Sequence, residues 1–238
     1  MAVMKRQLAT LVSVVDECET VKTMEFELSE AVAPKPGQCG TFFLLKPDGT
    51  FGEGRVYSLS SAPVEGNRIS ITFRITPNFP TKLLTLGVGA KVGFFGPYGT
   101  FVYNDAAERV VFFGGGVGAA PLLSMIKHVR EKKLPAKMIF MHTNKSVQVS
   151  PFLDYFKQLS SENRDFKYVL DVTRPAESSP WDGLKEEGHL TEEIVKKHVS
   201  DAPLLNYYIC GPPAYTHGVF TILKGLGVTD DKIKFEQW

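Results

Sequence analysis

The segment Val110–Pro121 runs from an apolar, aromatic-rich stretch into Gly114-Gly115-Gly116-Val117-Gly118-Ala119 and then into a helix opened by Pro121. Glycines let a backbone approach an anion closely, and a helix start adds N–H groups and the positive end of a dipole. A phosphate or pyrophosphate suits such a turn; a turn that only packs strand against helix would use the same glycines. The spacing Gly114-x-Gly116-x-x-Ala119 meets the loose dinucleotide fingerprint, which also wants an acid at the end of the next strand. That strand ends His142-Thr143-Asn144-Lys145 with no acid, so an ordinary Rossmann dehydrogenase is disfavoured. Near the C-terminus, Tyr207–Cys210 delivers a small cysteine into Gly211-Pro212-Pro213 before another helix. Cys210 reads either as a small buried apolar residue or as a ligand contact at a strand end.

In the first half, Arg55-Val56-Tyr57-Ser58-Leu59 lies on a predicted strand. The two-residue period puts Arg55, Tyr57 and Leu59 on one face and Val56 and Ser58 on the other. Arginine pairs with phosphate oxygens and tyrosine offers a flat face with a polar tip, so the set could hold a ring system and its phosphate. A solvated edge strand is the other reading. Gly96-Pro97-Tyr98-Gly99 reads as a second aromatic turn or as a hairpin loop.

These residues need elements to position them. Arg6–Val15, Thr23–Leu28, Thr41–Leu45, Arg55–Ser60, Arg68–Ile75 and Lys91–Phe95 read as short strands broken by turn signals, with a short helix over Lys82–Leu86. That spacing predicts an antiparallel β-barrel or sandwich. Beyond the polar segment Tyr103–Glu108, five apolar runs (Val110–Phe113, Met138–His142, Tyr168–Val172, Tyr207–Cys210, Ile233–Glu236) alternate with helical stretches at Pro121–Lys132, Pro151–Ser160, Thr191–His198 and Pro213–Gly225. Strand–helix alternation with doubly buried strands predicts an α/β domain with a five-stranded parallel sheet. The expected domains are residues 1–105 and 106–238, with a ligand cleft at the carboxyl ends of the parallel strands.

Composition narrows the class. With 238 residues and a net charge of +1, from 27 Lys+Arg against 26 Asp+Glu, the chain lacks the basic excess of a nucleic-acid binder. No apolar run approaches the roughly 18 residues of a membrane-spanning helix. Cys18, Cys39 and Cys210 form no metal-site or cluster spacing, and the histidines His128, His142, His189, His198 and His217 form no ligand set. A cytoplasmic protein without a metal or iron–sulfur centre is expected.

Arg-x-Tyr-Ser at 55–58, Gly-Pro-Tyr-Gly at 96–99, Gly-Gly-Gly-Val-Gly at 114–118 and Cys-Gly-Pro-Pro at 210–213, in this order, resemble the ferredoxin–NADP reductase superfamily. The resemblance implies a flavin-binding barrel followed by a nucleotide-binding α/β domain. It also implies a flavoprotein reductase that takes hydride from NADH or NADPH and passes electrons to a separate acceptor: a ferredoxin, a flavodoxin, a haem protein, an oxygenase component or free flavin; the alternative is a non-catalytic nucleotide-binding or sensing module that kept the reductase fold. A monomer or weak dimer is expected. Carried over, Arg55 would neutralise the flavin phosphate, Tyr57 would pack on the flavin, and Ser58 would sit near its reactive nitrogen. Val56, Thr72, Arg74, Thr81 and Lys82 complete the flavin side. The family's paired glycines are missing from Pro77–Pro80, so FAD is expected with FMN as the alternative. Gly114, Gly115, Gly116, Val117, Gly118 and Ala119, with Gly211 and Pro212, would cradle the nicotinamide nucleotide, and Cys210 would lie beside its ring. Thr143, Asn144, Lys145 and Arg174 would meet its far end; with no arginine pair for a 2′-phosphate, NADH is favoured. Glu236 would act as a proton or hydrogen-bond relay and Trp238 would cover the flavin, unless the last strand ends in a frayed tail.

Overall fold

The computed structural model describes residues 4–63 and 66–237. The chain forms two compact units, 1–103 with 123–133, and 104–122 with 134–238.

The first unit is built on β1 (Lys5–Cys18), β2 (Val21–Leu28), β3 (Cys39–Leu45), β4 (Phe51–Ser58), β5 (Arg68–Arg74) and β6 (Lys91–Tyr98). In β2, Met24, Phe26 and Leu28 are buried while Glu27 is exposed, the alternation of a sheet with one face on a core. The sheet order is β4-β3-β6-β1-β2-β5, and its outer members meet through an antiparallel bridge between Leu59 and Ile71 and a Ser60 N–H bond to the Ser70 carbonyl at 2.8 Å. An antiparallel sheet closed in this way leaves few unpaired edges. Its interior gathers Leu11, Phe26, Phe42, Ile71 and Phe94. Gly96-Pro97-Tyr98 continues β6, with Tyr98 paired to Cys39, so this motif is strand and not a hairpin loop. Leu123–Lys133 belongs to this unit, where Ser124 donates to the Ser61 carbonyl at 2.6 Å.

The short helix α1 (Phe79–Leu84) starts earlier than the expected Lys82, because Pro80 occupies its first turn, where a missing N–H costs nothing. Phe79 and Leu83, one helical turn apart, are its buried residues. The residue before it, Asn78, has φ 82° and ψ −124°, a conformation almost confined to glycine.

The second unit carries β7 (Arg109–Gly115), α2 (Ala119–Glu131, whose end lies in the first unit), β8 (Lys137–Asn144), α3 (Leu153–Glu162), β9 (Phe166–Val172), β10 (Lys185–Glu187), α4 (Glu192–His198), β11 (Asn206–Gly211), α5 (Pro213–Gly225) and β12 (Ile233–Gln237). All pairs are parallel, in the order β10-β9-β8-β7-β11-β12. The sheet has one strand beyond the five expected. β10 reads Lys-Glu-Glu, and an edge strand of three charged residues leaves no hydropathy signal. The strand order reverses between β7 and β11, the topological switch point at which open α/β sheets bind ligands. Among the described residues no helix is long and apolar enough to cross a membrane.

Asn78→Gly should leave stability unchanged or raise it by up to about 1 kcal/mol, whereas Asn78→Val should lower it by about 1–3 kcal/mol. Urea midpoints at constant m-value measure both; a valine variant as stable as the parent would contradict the strain assigned here.

Candidate functional site

At the switch point, parallel register places Gly114 opposite Cys210, and Cys210 opposite Glu236. After β7 the chain turns through a 3-10 segment at Gly116–Gly118, with Gly116 at φ 57°, and enters α2, whose first turn carries no acidic side chain. A Cβ on Gly118 would lie 2.3 Å from the Cys210 carbonyl oxygen and 2.9 Å from the Gly211 nitrogen. The two glycine turns therefore meet backbone to backbone. Gly115 and Gly211 both lie under the Tyr215 ring, where a Cβ on either would come within 2.8 Å of it. A Cβ on Gly114 would meet Phe140 at 2.9 Å. Packing accounts for these three contacts, so any anion would be held by backbone N–H groups and the start of α2.

His142, at the end of β8, is fully buried and fixes this turn. The Gly116 carbonyl can only accept, so His142 Nε2–H donates to it at 2.9 Å, and Tyr168 Oη–H donates to Nδ1 at 3.0 Å. Burial drives the imidazole pKa down to about 4, leaving it neutral. The next residues were expected at the nucleotide. Thr143 lies 3.4 Å from the Tyr215 hydroxyl, and Asn144 is buried with both side-chain polar atoms lacking a protein partner. A buried unpaired amide at the carboxyl end of a parallel strand is the feature a bound nucleotide would satisfy. Lys145 and Arg174 are brought together by an Arg174 N–H bond to the Lys145 carbonyl at 2.8 Å, and Arg174 pairs with Glu177 at 3.4 Å.

Asp171 escapes sequence reasoning. It lies opposite Thr143 on β8 and Glu186 on β10, fully buried, with neither carboxylate oxygen hydrogen-bonded. Burial pushes its pKa up to about 6, helped by Glu186 and opposed by Thr143. Asp171 and His142 share one signal that could have found them: a polar group inside or at the end of an apolar run.

In the first unit, Arg55 and Lys82 converge on Glu53. Arg55 Nη2 is 3.1 Å from Oε1 and Lys82 Nζ is 2.7 Å from Oε2. Lys82 first, with Arg55 adding, holds the Glu53 carboxyl below its usual range. The Arg55 guanidinium also lies 5.8 Å from the Phe79 ring, and Nη1 donates to the Gly54 carbonyl at 2.8 Å. Tyr57 is half-buried against Phe42, Phe73 and Phe79, and burial pushes its pKa to about 12. Ser58 is half-buried and Val56 is exposed.

Other expected flavin contacts are engaged within the protein. Thr72 is 2.7 Å from Thr23 and donates to Ser60 at 3.0 Å, Arg74 donates to Thr20 at 2.8 Å, and Thr81 donates to the Thr76 carbonyl at 2.8 Å. Cys210 is fully buried, Glu236 is half-buried and Pro212 is exposed at the start of α5. Trp238 lies outside the described residues. Among the described residues no group of three or more His, Cys, Asp and Glu is placed to hold a metal ion.

His142 and Asp171 oppose each other in acid. Between about pH 6.5 and 4 the unfolded chain takes up a proton that folded His142 refuses, so acidification destabilises the fold. Between about pH 6 and 3.8 folded Asp171 keeps a proton that the unfolded chain releases, so acidification favours the fold. His142→Gln should flatten the acid loss of stability and Asp171→Asn should steepen it, read as urea midpoints across pH 4–7. Identical slopes in both variants would contradict the buried states assigned here.

Residues 112–220 match the oxidoreductase NAD-binding domain family. The chain is 33% identical over 199 residues to one component of the Na(+)-translocating NADH-quinone reductase of Haemophilus ducreyi, covering 77% of this chain and 48% of that protein. To the same component of the Idiomarina loihiensis reductase it is 30% identical over 233 residues, covering 92% and 56%. The chain thus spans about half the length of the curated relatives it matches. Among solved structures, the flavohaem-like FAD/NAD-binding domain of nitric oxide dioxygenase from Vibrio cholerae superposes with a TM-score of 0.85 at 20% identity, covering 98% of each chain. A ferredoxin NADP+ reductase from Neisseria gonorrhoeae, solved with FAD and NADP bound, gives 0.82 at 19% identity, again covering 98% of each. Residues 112–220 thus carry the NAD-binding domain match, and the whole chain has the two-domain fold of these reductase structures.

Proposed function

We propose that the chain is a flavin-dependent NAD(P)H oxidoreductase that takes hydride from the nucleotide onto FAD and passes electrons to a separate acceptor. The observation that carries this reading is the convergence of Arg55 and Lys82 on the two oxygens of one carboxylate, beside the half-buried Tyr57 ring. Two cations that meet on an anion of that size fit a flavin phosphate, and the carboxylate stands where such oxygens would be held. FAD is favoured over FMN by the fold relatives solved with FAD. Bound flavin supplies the redox chemistry, accepting a hydride and releasing electrons singly or in pairs.

The chain's own residues bind and orient. Arg55 and Lys82 hold negative charge, and Tyr57 offers a ring face whose other contacts are already packed. At the switch point, the Gly114–Ala119 turn and the start of α2 receive the nucleotide's pyrophosphate, with His142 fixing the Gly116 carbonyl inward. Asn144 supplies the unpaired amide. Glu236, in register with Cys210 and so with Gly114, is positioned to hold a proton on that row.

NADH is the proposed donor. Glu177 beside Arg174 opposes a 2′-phosphate, and the relatives named above belong to NADH-quinone reductases. The acceptor is proposed to be another protein or a small molecule. Flavin retention tests the reading: Arg55→Ala and Lys82→Ala should each release flavin while circular dichroism stays that of the parent. Full flavin occupancy in both variants would sink the assignment. The ratio of kcat/KM for NADH over NADPH should exceed one and shrink in Glu177→Gln; an unchanged ratio would remove Glu177 from nucleotide selection.

A further inference from the structure

We infer that Glu53 is a built-in competitor for the flavin phosphate, one that must be displaced from Arg55 and Lys82 before a phosphate can be gripped. The inference rests on the proposed role of those two cations. Glu53 lies two residues before Arg55 on β4, and the period of a strand puts both on one face. Lys82 arrives from α1. The carboxylate gives one oxygen to each cation, at 3.1 and 2.7 Å, so it takes up the donors that a phosphate would need.

Three features make this an exchangeable bridge. First, the side chains of Arg55, Lys82 and Glu53 are 56%, 57% and 33% exposed, and ion pairs in that setting are weak and readily opened. Second, the glycines on either side of Glu53 lie against Phe43 and Lys46 and the strand is paired to β3, so only the Glu53 side chain has to turn for the bridge to open. Third, Arg55 does not depend on Glu53 for its place. Nη1 is tied to the Gly54 carbonyl at 2.8 Å, and the guanidinium lies 5.8 Å from the Phe79 ring. When the carboxylate swings away, the arginine stays where it was, with Nη2 released.

A ligand without phosphate gains nothing from that exchange. Glu53 therefore lowers affinity for phosphate-bearing flavins and leaves riboflavin untouched. Because Glu53 carries the charge of the anion it mimics, replacing it with neutral glutamine removes the competitor and leaves two unopposed cations.

The test is equilibrium binding of FAD, FMN and riboflavin to the flavin-free full chain, followed by flavin fluorescence at low and high salt, in the parent, Glu53→Gln and Glu53→Ala. Both variants should bind FAD and FMN about two- to tenfold more tightly at low salt, the range expected from losing two exposed ion pairs. Riboflavin affinity should be unchanged, and the gain should shrink as salt rises. Inorganic pyrophosphate should also compete more strongly against FAD in the variants. Unchanged or weaker FAD binding would overturn the inference and make Glu53 a positioning residue for the cations. Equal tightening of riboflavin would overturn it too, because the effect would then be one of space and not charge. Arg55→Ala and Lys82→Ala are titrated alongside. If neither weakens FAD binding, the reading of the cations has failed; if they do and Glu53→Gln does not tighten it, only the competitor has.

Discussion

The second unit depends on two turns that can touch because neither carries a side chain where they meet. β7 and β11 are neighbours at the point where the strand order reverses, so the chain leaving each strand must turn over the same spot. Any Cβ on Gly118 would strike the Cys210 carbonyl at 2.3 Å. A methyl group there cannot be absorbed by a rotamer change, because the obstacle is backbone. Around this contact the rest falls into place: Tyr215 covers Gly115 and Gly211, α2 starts where the turn ends, and His142 pins the Gly116 carbonyl from below. The neutral state of His142 belongs to the same logic, since a buried imidazolium beside Phe140 and Phe156 would carry a desolvated charge without a counter-ion.

The first unit carries its charged cluster of Arg55, Glu53 and Lys82 at the surface. A closed antiparallel sheet filled with phenylalanine, leucine and isoleucine supplies the wall on which that cluster stands. Arg55 stands exposed at the end of a strand face whose next residues, Tyr57 and Leu59, lie against and within the core. α1 brings Lys82 to the same carboxylate, and it can begin only because Asn78 accepts a glycine-like backbone. Backbone strain at one residue thus positions a cation four residues later.

Much of this was legible in the residues. Short β-branched and aromatic-rich stretches between turn signals identified the strands of the first unit, and continuous apolar runs such as Val110–Phe113 identified the parallel strands, because a strand buried on both faces is apolar throughout. The glycine turns were legible as turns, although spacing alone did not reveal that packing uses most of their glycines. Three things were illegible for physical reasons. β10 is an edge strand of charged residues, held by backbone pairing that leaves no trace in hydropathy. Asn78 adopts the needed conformation without being glycine. Glu53 matters through what lies opposite it in space, and residue type does not encode that. Glu53 in particular reads as an ordinary solvated acid until Lys82 is seen across from it.

Both sites have their proposed roles only if electrons pass from nucleotide to flavin on this chain. The purified protein loaded with FAD should be titrated anaerobically with NADH while its visible spectrum is recorded. Bleaching of the flavin bands with about one equivalent of NADH is the predicted result. Flavin bands that persist through a large excess of both NADH and NADPH, in a protein that holds FAD stoichiometrically, would contradict it.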